Sequence, residues 1–442
     1  MKIIITLLIF MSAFNLQAQQ QRPDIKLDSK MKLEAISNLS KTLIENYIFL
    51  DVAQKVETML EDNLKNKVYD KIEDPREFSQ VITNDLQSIT HDKHLRFGFN
   101  PQMAADLLSA GNDEENNPIL RKKYEEEMKE NNYGFKKLEI LNGNIGYIDL
   151  RGFTDVTIAK ETGAAAMNFL SNTNATIFDL RENGGGDPNM VQFLCSYLFD
   201  GKVHLNDLYY RKKDETTEYW TLETVPGKKM PNMDIYILTS KFTFSGAEEF
   251  TYNLKNLKRA TIIGENTGGG ANPGGAMRIS EFFTAFIPTG RAINPITKTN
   301  WEGTGIAPDI ACKKEDALTI AQIEIFKKLA ANTNSEEKKN EYKWNIEPLE
   351  AKINPVSISA DVLQKYAGDY GIRKVYFENG QLIYERPGVL GKTKLIPIRM
   401  DYFALDGRDN FRIKFNTEAS GNVISLTGMY SDGMQEENKK IN

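Results

Sequence analysis

The stretch ATIFDLRENGGGDPNMVQFLCSYLF, Ala175–Phe199, decides how the chain is built. It opens on a short β-branched apolar run, passes through three consecutive glycines, and continues into an apolar segment with helical periodicity. A strand followed by a glycine turn and a helix is the repeating unit of an α/β fold. The same alternation recurs on both sides. GNIGYIDLRGF, MDIYILTS and KRATIIGEN read as strands, and TIAKETGAAAMNFLSN and GAEEFTYNLKNL as helices. The glycine turn also brings backbone N–H groups to a helix start, where they stabilise an anionic oxygen. A phosphate loop would need GxxxxGK[ST], which the chain lacks, so nucleotide binding is not expected.

Outward from this core the pattern changes twice. Toward the N-terminus, residues 24–100 return apolar positions every three to four residues and predict a helical domain, followed by a charged helical connector over 101–134. Toward the C-terminus, the α/β core, 135–330, gives way to a polar linker over 331–355. Residues 356–442 then alternate at period two between ENG, DG and SGN turns, the pattern of antiparallel hairpins. The expected fold is α/β: an N-terminal helical bundle, an α/β core and a C-terminal antiparallel β domain.

The 442 residues are too many for one core and suggest two or three domains. With 40% apolar and 26% charged residues, a net charge of −6 and a mean hydropathy of −0.45, the chain reads as a globular protein without the basic face of a nucleic-acid binder. MKIIITLLIFMSAFNLQA, residues 1–18, has the charged start and short apolar run of a signal peptide, with an N-terminal anchor as the alternative. Without a cysteine near the cleavage point, a lipid anchor is not expected, and no later window is long and apolar enough to span a bilayer. The two cysteines, Cys195 and Cys312, read as buried free thiols. No HExxH or other ligand spacing is present, so neither metal nor cofactor is expected.

TSKFTFSGAEEF, Thr239–Phe250, places Ser245 at the start of a helix, where an N-cap and a nucleophile are both natural readings. A serine nucleophile needs a base, and the chain has three histidines. His204 lies beside an expected edge strand. His91 and His94 share the polar segment SITHDKHLRFGF. A second glycine-rich loop, GENTGGGANPGG, follows the next strand and reads as the lining of a cleft, with Asn266, Gly269 and Gly270 as candidate substrate contacts. Asp187, Glu248 and Asn266 are cleft candidates as well, although caps and helix-start charges account for them equally.

Taken in order, HDKHLRF, DLRENGGG, SKFTFSGAEEF, IIGENTGGG and WEGTGIAPDI resemble the serine peptidase family of tail-specific (C-terminal processing) proteases, tricorn-core enzymes and the interphotoreceptor retinoid-binding protein. The resemblance covers roughly residues 30 to 325 and implies a crotonase/Clp-protease-like core. In the processing-protease branch a lysine activates the serine, and the alignment places Gly270 at that position, so the Ser–Lys pair is missing. In the tricorn-like and retinoid-binding-protein-like branch the base is a histidine in a motif similar to DxHL, which implies His94. The acidic member, in a motif similar to EGxGxxPD, implies Glu302. Lys93 departs from the tricorn pattern, which has a serine there.

The resemblance thus implies that Ser245 attacks an amide carbonyl while His94 accepts its proton and Glu302 steadies the imidazolium. Backbone N–H groups of Gly246 and of Gly185 or Gly186 would hold the oxyanion. The interval between His94 and the first core strand is too short for the PDZ domain of processing proteases. The C-terminal β domain is expected to stabilise the chain or contact ligand, without a catalytic role. The expectation is an exported serine endopeptidase acting on a peptide or protein. A non-catalytic binder of an apolar ligand on the same scaffold is the alternative.

Overall fold

The computed structural model describes residues 25–109 and 118–441, so the residues 1–18 read as a signal peptide lie outside the described part. The chain divides into two compact units, one ending at Lys314 and the other beginning at Glu315.

In the first unit three amphipathic helices, Ser29–Asn46, Leu50–Lys65 and Pro75–Thr90, form the N-terminal region. Two of them start on aspartate caps. Asp28 accepts the Met31 N–H, and Asp74, ahead of Pro75, accepts those of Arg76 and Glu77. Their apolar stripes do not close on themselves. Leu39, Leu43, Phe78 and Ile82 share one core with Phe97 of strand Arg96–Phe99 and with Phe283, Ala285 and Ile287 of strand Phe283–Pro288. These two strands pair antiparallel, Arg96 opposite Phe286 and Phe99 opposite Phe283, and Gly274–Arg278 adds a third. The helical region is therefore completed by strands from far along the chain.

The centre is a six-stranded sheet. Strands Ile145–Leu150, Ala175–Asp179, Asp234–Thr239, Ala260–Gly264 and Ile310–Ala311 run parallel, and Phe135–Leu141 pairs antiparallel at one edge. Helices Val156–Leu170, Pro188–Ser196 and Gly246–Asn256 contribute to its apolar core. Asp179 stands opposite Leu238, and Thr239 opposite Gly264, so three strands end nearly level. The loops leaving those ends carry the glycine turn, Ser245 and the second glycine-rich loop, in keeping with the rule that sites form at the carboxyl ends of parallel strands. A small sheet of His204–Tyr210, Glu215–Trp220 and Gly290–Ile293 adds Leu208 and Ala292 to an apolar cluster with Ala271 and Trp301.

The second unit opens with helices Ala317–Asn332 and Glu336–Ile353. The stretch read as a polar linker thus carries a helix. Ser335 caps it by accepting the Lys338 N–H, Glu336 pairs with Lys339, and Tyr342 packs on Phe326 of the preceding helix. Its charges are a solvated helical face, which composition alone does not distinguish from a linker. After helix Ala360–Tyr366, eight strands between Gly368 and Lys439 pair antiparallel in chain order. An antiparallel bridge from Asp369 to Ile441 brings the first strand against the chain's last described residue, nearly closing a barrel. The ENG turn falls where it was expected, with Asn379 and Gly380 both at positive φ between Glu378 and Gln381.

Neither cysteine forms a disulfide. Cys195 is buried, whereas Cys312 is only partly so, because it follows the short outermost parallel strand. Among the described residues no helix is long and apolar enough to cross a membrane.

Candidate active site

Ser245 begins helix Gly246–Asn256 with φ 54° and ψ −122°, a backbone conformation that costs a non-glycine residue about 1–3 kcal/mol. Its surroundings hold it there. The Ser245 N–H donates to Glu248 Oε2 at 3.0 Å, and the Phe244 N–H to the Asn183 carbonyl at 3.1 Å. Glu248 is fully buried and also accepts from the Thr267 hydroxyl (2.5 Å) and from the Gly269 (2.7 Å) and Gly270 (2.8 Å) N–H groups. Burial pushes its carboxyl up to about 7, against the pull of those four donors. One carboxylate thereby fastens the serine turn to the second glycine-rich loop.

The first glycine turn packs on Ser245 backbone to backbone. A Cβ on Gly185 would lie 2.7 Å from Ser245 Cβ and from the Gly246 nitrogen, and one on Gly246 would lie 2.9 Å from the Gly186 nitrogen. Only glycine permits both approaches. The oxyanion expectation needs one correction. The Gly185 N–H already donates to Asn183 Oδ1 at 2.8 Å, so Gly186 and Gly246 remain as the candidate donors. Asn183, fully buried with its amide on the Leu150 carbonyl (2.8 Å), shapes the turn. Its signal in the sequence is an asparagine two residues before a glycine, the pattern of an Asx turn.

His94 arrives by a different route. Helix Pro75–Thr90 ends on His91 in the left-handed conformation, φ 53°. Asp92 then accepts the His94 N–H on Oδ1 at 3.0 Å, and strand Arg96–Phe99 follows. The imidazole is buried, with ring centroids 4.5 Å from Phe244 and 5.7 Å from Phe286. Neither ring nitrogen has a hydrogen-bond partner, so no bond joins it to Ser245 in this structure. Burial, with a smaller contribution from the Arg96 charge, lowers its pKa to about 3. Gly270 lies between the two residues. It lines a cavity with Ser245, while a Cβ on it would stand 2.7 Å from His94 Cε1 and 2.2 Å from Phe244 Cζ.

Glu302 is brought to His94. One ligand atom from each of Asp92, His94 and Glu302 falls within 4.8 Å of the other two, a spacing a metal ion could bridge. Most of the carboxylate oxygens are already engaged. Asp92 Oδ2 accepts from Tyr47 Oη (3.2 Å) and Asn272 Nδ2 (2.9 Å), and Glu302 Oε2 accepts from the Ala271 N–H (2.6 Å). Glu302 Oε1 and the imidazole nitrogens are left facing the cluster without partners. A proton passing between imidazole and carboxylate fits those open positions as well as an ion does. Burial, and then the Asp92 charge, pushes the Glu302 carboxyl up to about 8. The motif alone gives Asp92 no role, because its contacts come from residues 45 positions before it and 180 after it.

The other expected residues fall elsewhere. Asn266 donates to the Thr304 carbonyl at 2.9 Å and braces the loop around Glu302, and the Gly269 and Gly270 N–H groups are taken by Glu248, although Gly270 still lines the cavity beside Ser245. Lys93, at the departure from the tricorn pattern, reaches the Gly268 carbonyl at 2.5 Å. His204 bonds Asp207 at 2.6 Å and stacks on Trp220 in the small sheet. Asp187 caps helix Pro188–Ser196 and takes the Val156 N–H.

Residues 144–312 match the description Peptidase family S41, and residues 25–133 match the N-terminal domain of Peptidase_S41 in eukaryotic IRBP. The chain carries domains of peptidase family S41, a family of serine-type peptidases. Among solved structures it is similar to an S41-protease-type protein from Bacteroides fragilis NCTC 9343, at 21% identity and a TM-score of 0.38, over 42% of this chain and 52% of that one. The chain thus spans about half the length of that relative. The photosystem II D1 C-terminal processing protease aligns at 15% identity and a TM-score of 0.41, over 65% of this chain and 94% of its own. The tricorn protease aligns at 14% and 0.40, over 65% and 35%.

Proposed function

We propose that the protein is an exported serine endopeptidase in which Ser245 is the nucleophile, His94 the base and Glu302 its acidic partner. The observation that carries this reading is the setting of Ser245. It is strained, held by Glu248, open to a cavity, and flanked by the Gly246 and Gly186 backbones. A cap with no further duty would not need that conformation. In the reaction, Ser245 Oγ adds to the amide carbonyl and its proton passes to His94. The oxyanion is held by the Gly186 and Gly246 N–H groups. His94 then gives the proton to the leaving amine, and water repeats the sequence on the acyl-enzyme. On this reading the His94–Ser245 bond forms with substrate bound, since catalytic contacts often tighten only then. Export rests on the pattern of residues 1–18.

The test is an active-site serine probe. A fluorophosphonate should label the wild type on Ser245, and Ser245→Ala or His94→Ala should lower turnover by about 10⁴–10⁶-fold if the group acts as a unit. An unlabelled wild type would favour the non-catalytic binder, and full activity in either variant would remove that residue from the mechanism. The N-terminal residue of protein recovered outside the cytoplasm would decide the export reading.

A further inference from the structure

A small cavity, partly open to solvent, lies beside Ser245. Pro188, Leu208, Ala292 and Trp301 supply apolar wall, and among the described residues lining it Glu249 is the one ionisable side chain. Glu249 lies in the first turn of the helix that Ser245 caps, and both residues line the cavity. Glu249 itself is 6% exposed. Burial pushes its carboxyl up to about 8, against the pull of the Asn206 amide and with the like charge of Asp187 adding to the rise, and no cation is among the groups acting on it. A buried carboxylate without a cationic partner is costly, and a core position would be better filled by an apolar residue. The arrangement fits a visiting cation, because the stem of a lysine or arginine packs on apolar walls while its charged end seeks a carboxylate.

We propose that this cavity receives the side chain of the residue whose carbonyl Ser245 attacks, and that Glu249 selects a lysine or arginine there. The inference rests on Ser245 being the nucleophile. The competing view makes Glu249 a neutral acid held by Asn206 in the core, and it predicts preference for an uncharged side chain.

Quenched fluorescent peptides that differ only in lysine or norleucine before the cleaved bond decide between them, since norleucine keeps the stem and lacks the charge. The wild type should favour lysine in kcat/KM by about 10²-fold or more, as expected when a buried polar group is left unpaired by the analogue. In Glu249→Gln the lysine-to-norleucine ratio should fall to near unity, and a ratio taken within one protein is insensitive to a general loss of folded enzyme. A wild type that cleaves norleucine as well as lysine overturns the pocket. If Ser245 is labelled by fluorophosphonate in that protein, the nucleophile stands and only the pocket falls. A wild type that neither labels nor cleaves overturns both.

Discussion

Gly270 and His94 are so close that a single methyl group on the glycine would stand 2.7 Å from the imidazole Cε1. The resemblance places the lysine base of the processing branch at this position. In this fold a side chain at 270 and a histidine at 94 compete for the same space, so the missing lysine and the buried histidine are two sides of one choice.

Gly270→Ala tests that crowding. The new Cβ would also lie 2.2 Å from Phe244 Cζ, and overpacking of this kind typically costs about 1–3 kcal/mol. We expect kcat/KM to fall at least about 10²-fold, as small displacements of catalytic groups do. Phe244→Leu in the same protein should restore part of it. A Gly270→Ala enzyme with wild-type kcat/KM would show that the loop yields freely.

The pH dependence should betray the buried carboxyl pair. Glu302 is raised to about 8, with Asp92 and Glu248 as the charges acting on it, while His94 stays neutral above about 3. An ionised acid steadies the imidazolium, so kcat/KM should rise as pH climbs through about 8, and the apparent value belongs to the Asp92–Glu302 pair rather than to one residue. Glu302→Gln should flatten that limb and lower the plateau. A limb centred at the ordinary histidine value in both proteins would contradict this coupling.

Glu248→Gln replaces an acceptor of four donors by a group that presents two N–H bonds to some of them. Leaving buried donors unpaired costs about 1–3 kcal/mol each, so a loss of roughly 2–4 kcal/mol is expected in urea unfolding of the peptidase unit. A change below about 0.5 kcal/mol, the range of ordinary surface substitutions, would mean that the clamp is not structural.

In the β domain, Arg373 is fully buried beneath the sheet, bonded to Tyr384 Oη at 2.9 Å and paired with Glu436, with its guanidinium 5.2 Å from the Phe411 ring. Arg373→Ala should cost about 3 kcal/mol or more through the void it leaves. Arg373→Met should be tolerated far better, because Glu436 keeps its access to water and the methionine refills the space. Calorimetric unfolding of the two variants separates packing from charge, and equal losses would point to the ion pair instead.

How much of this was legible beforehand follows from the range of each interaction. The strand–turn–helix units and the ENG hairpin were readable because their signals are local. The helix at 336–353 was missed because its cap and charge pairs look like a polar linker until Tyr342 finds Phe326. At the site, the motifs named Ser245, His94 and Glu302, and the fold brings Glu302 to His94. What the motifs could not show is competition for hydrogen bonds. Asn183 takes the Gly185 N–H, Glu248 takes those of Gly269 and Gly270, and Glu249 lines the cavity without a cation.

The shared core of the helical region and strand Phe283–Pro288 also bears on when the chain can become dangerous to the cell that makes it. During synthesis His94 emerges long before Ser245, yet its loop gains its seat only when Arg96–Phe99 pairs with Phe283–Pro288 and Asn272 closes on Asp92. Non-local pairings of this kind form late. On the proposed mechanism, an unfinished or unfolded chain carries its nucleophile and its base as strangers, and proteolysis begins only once folding is completed.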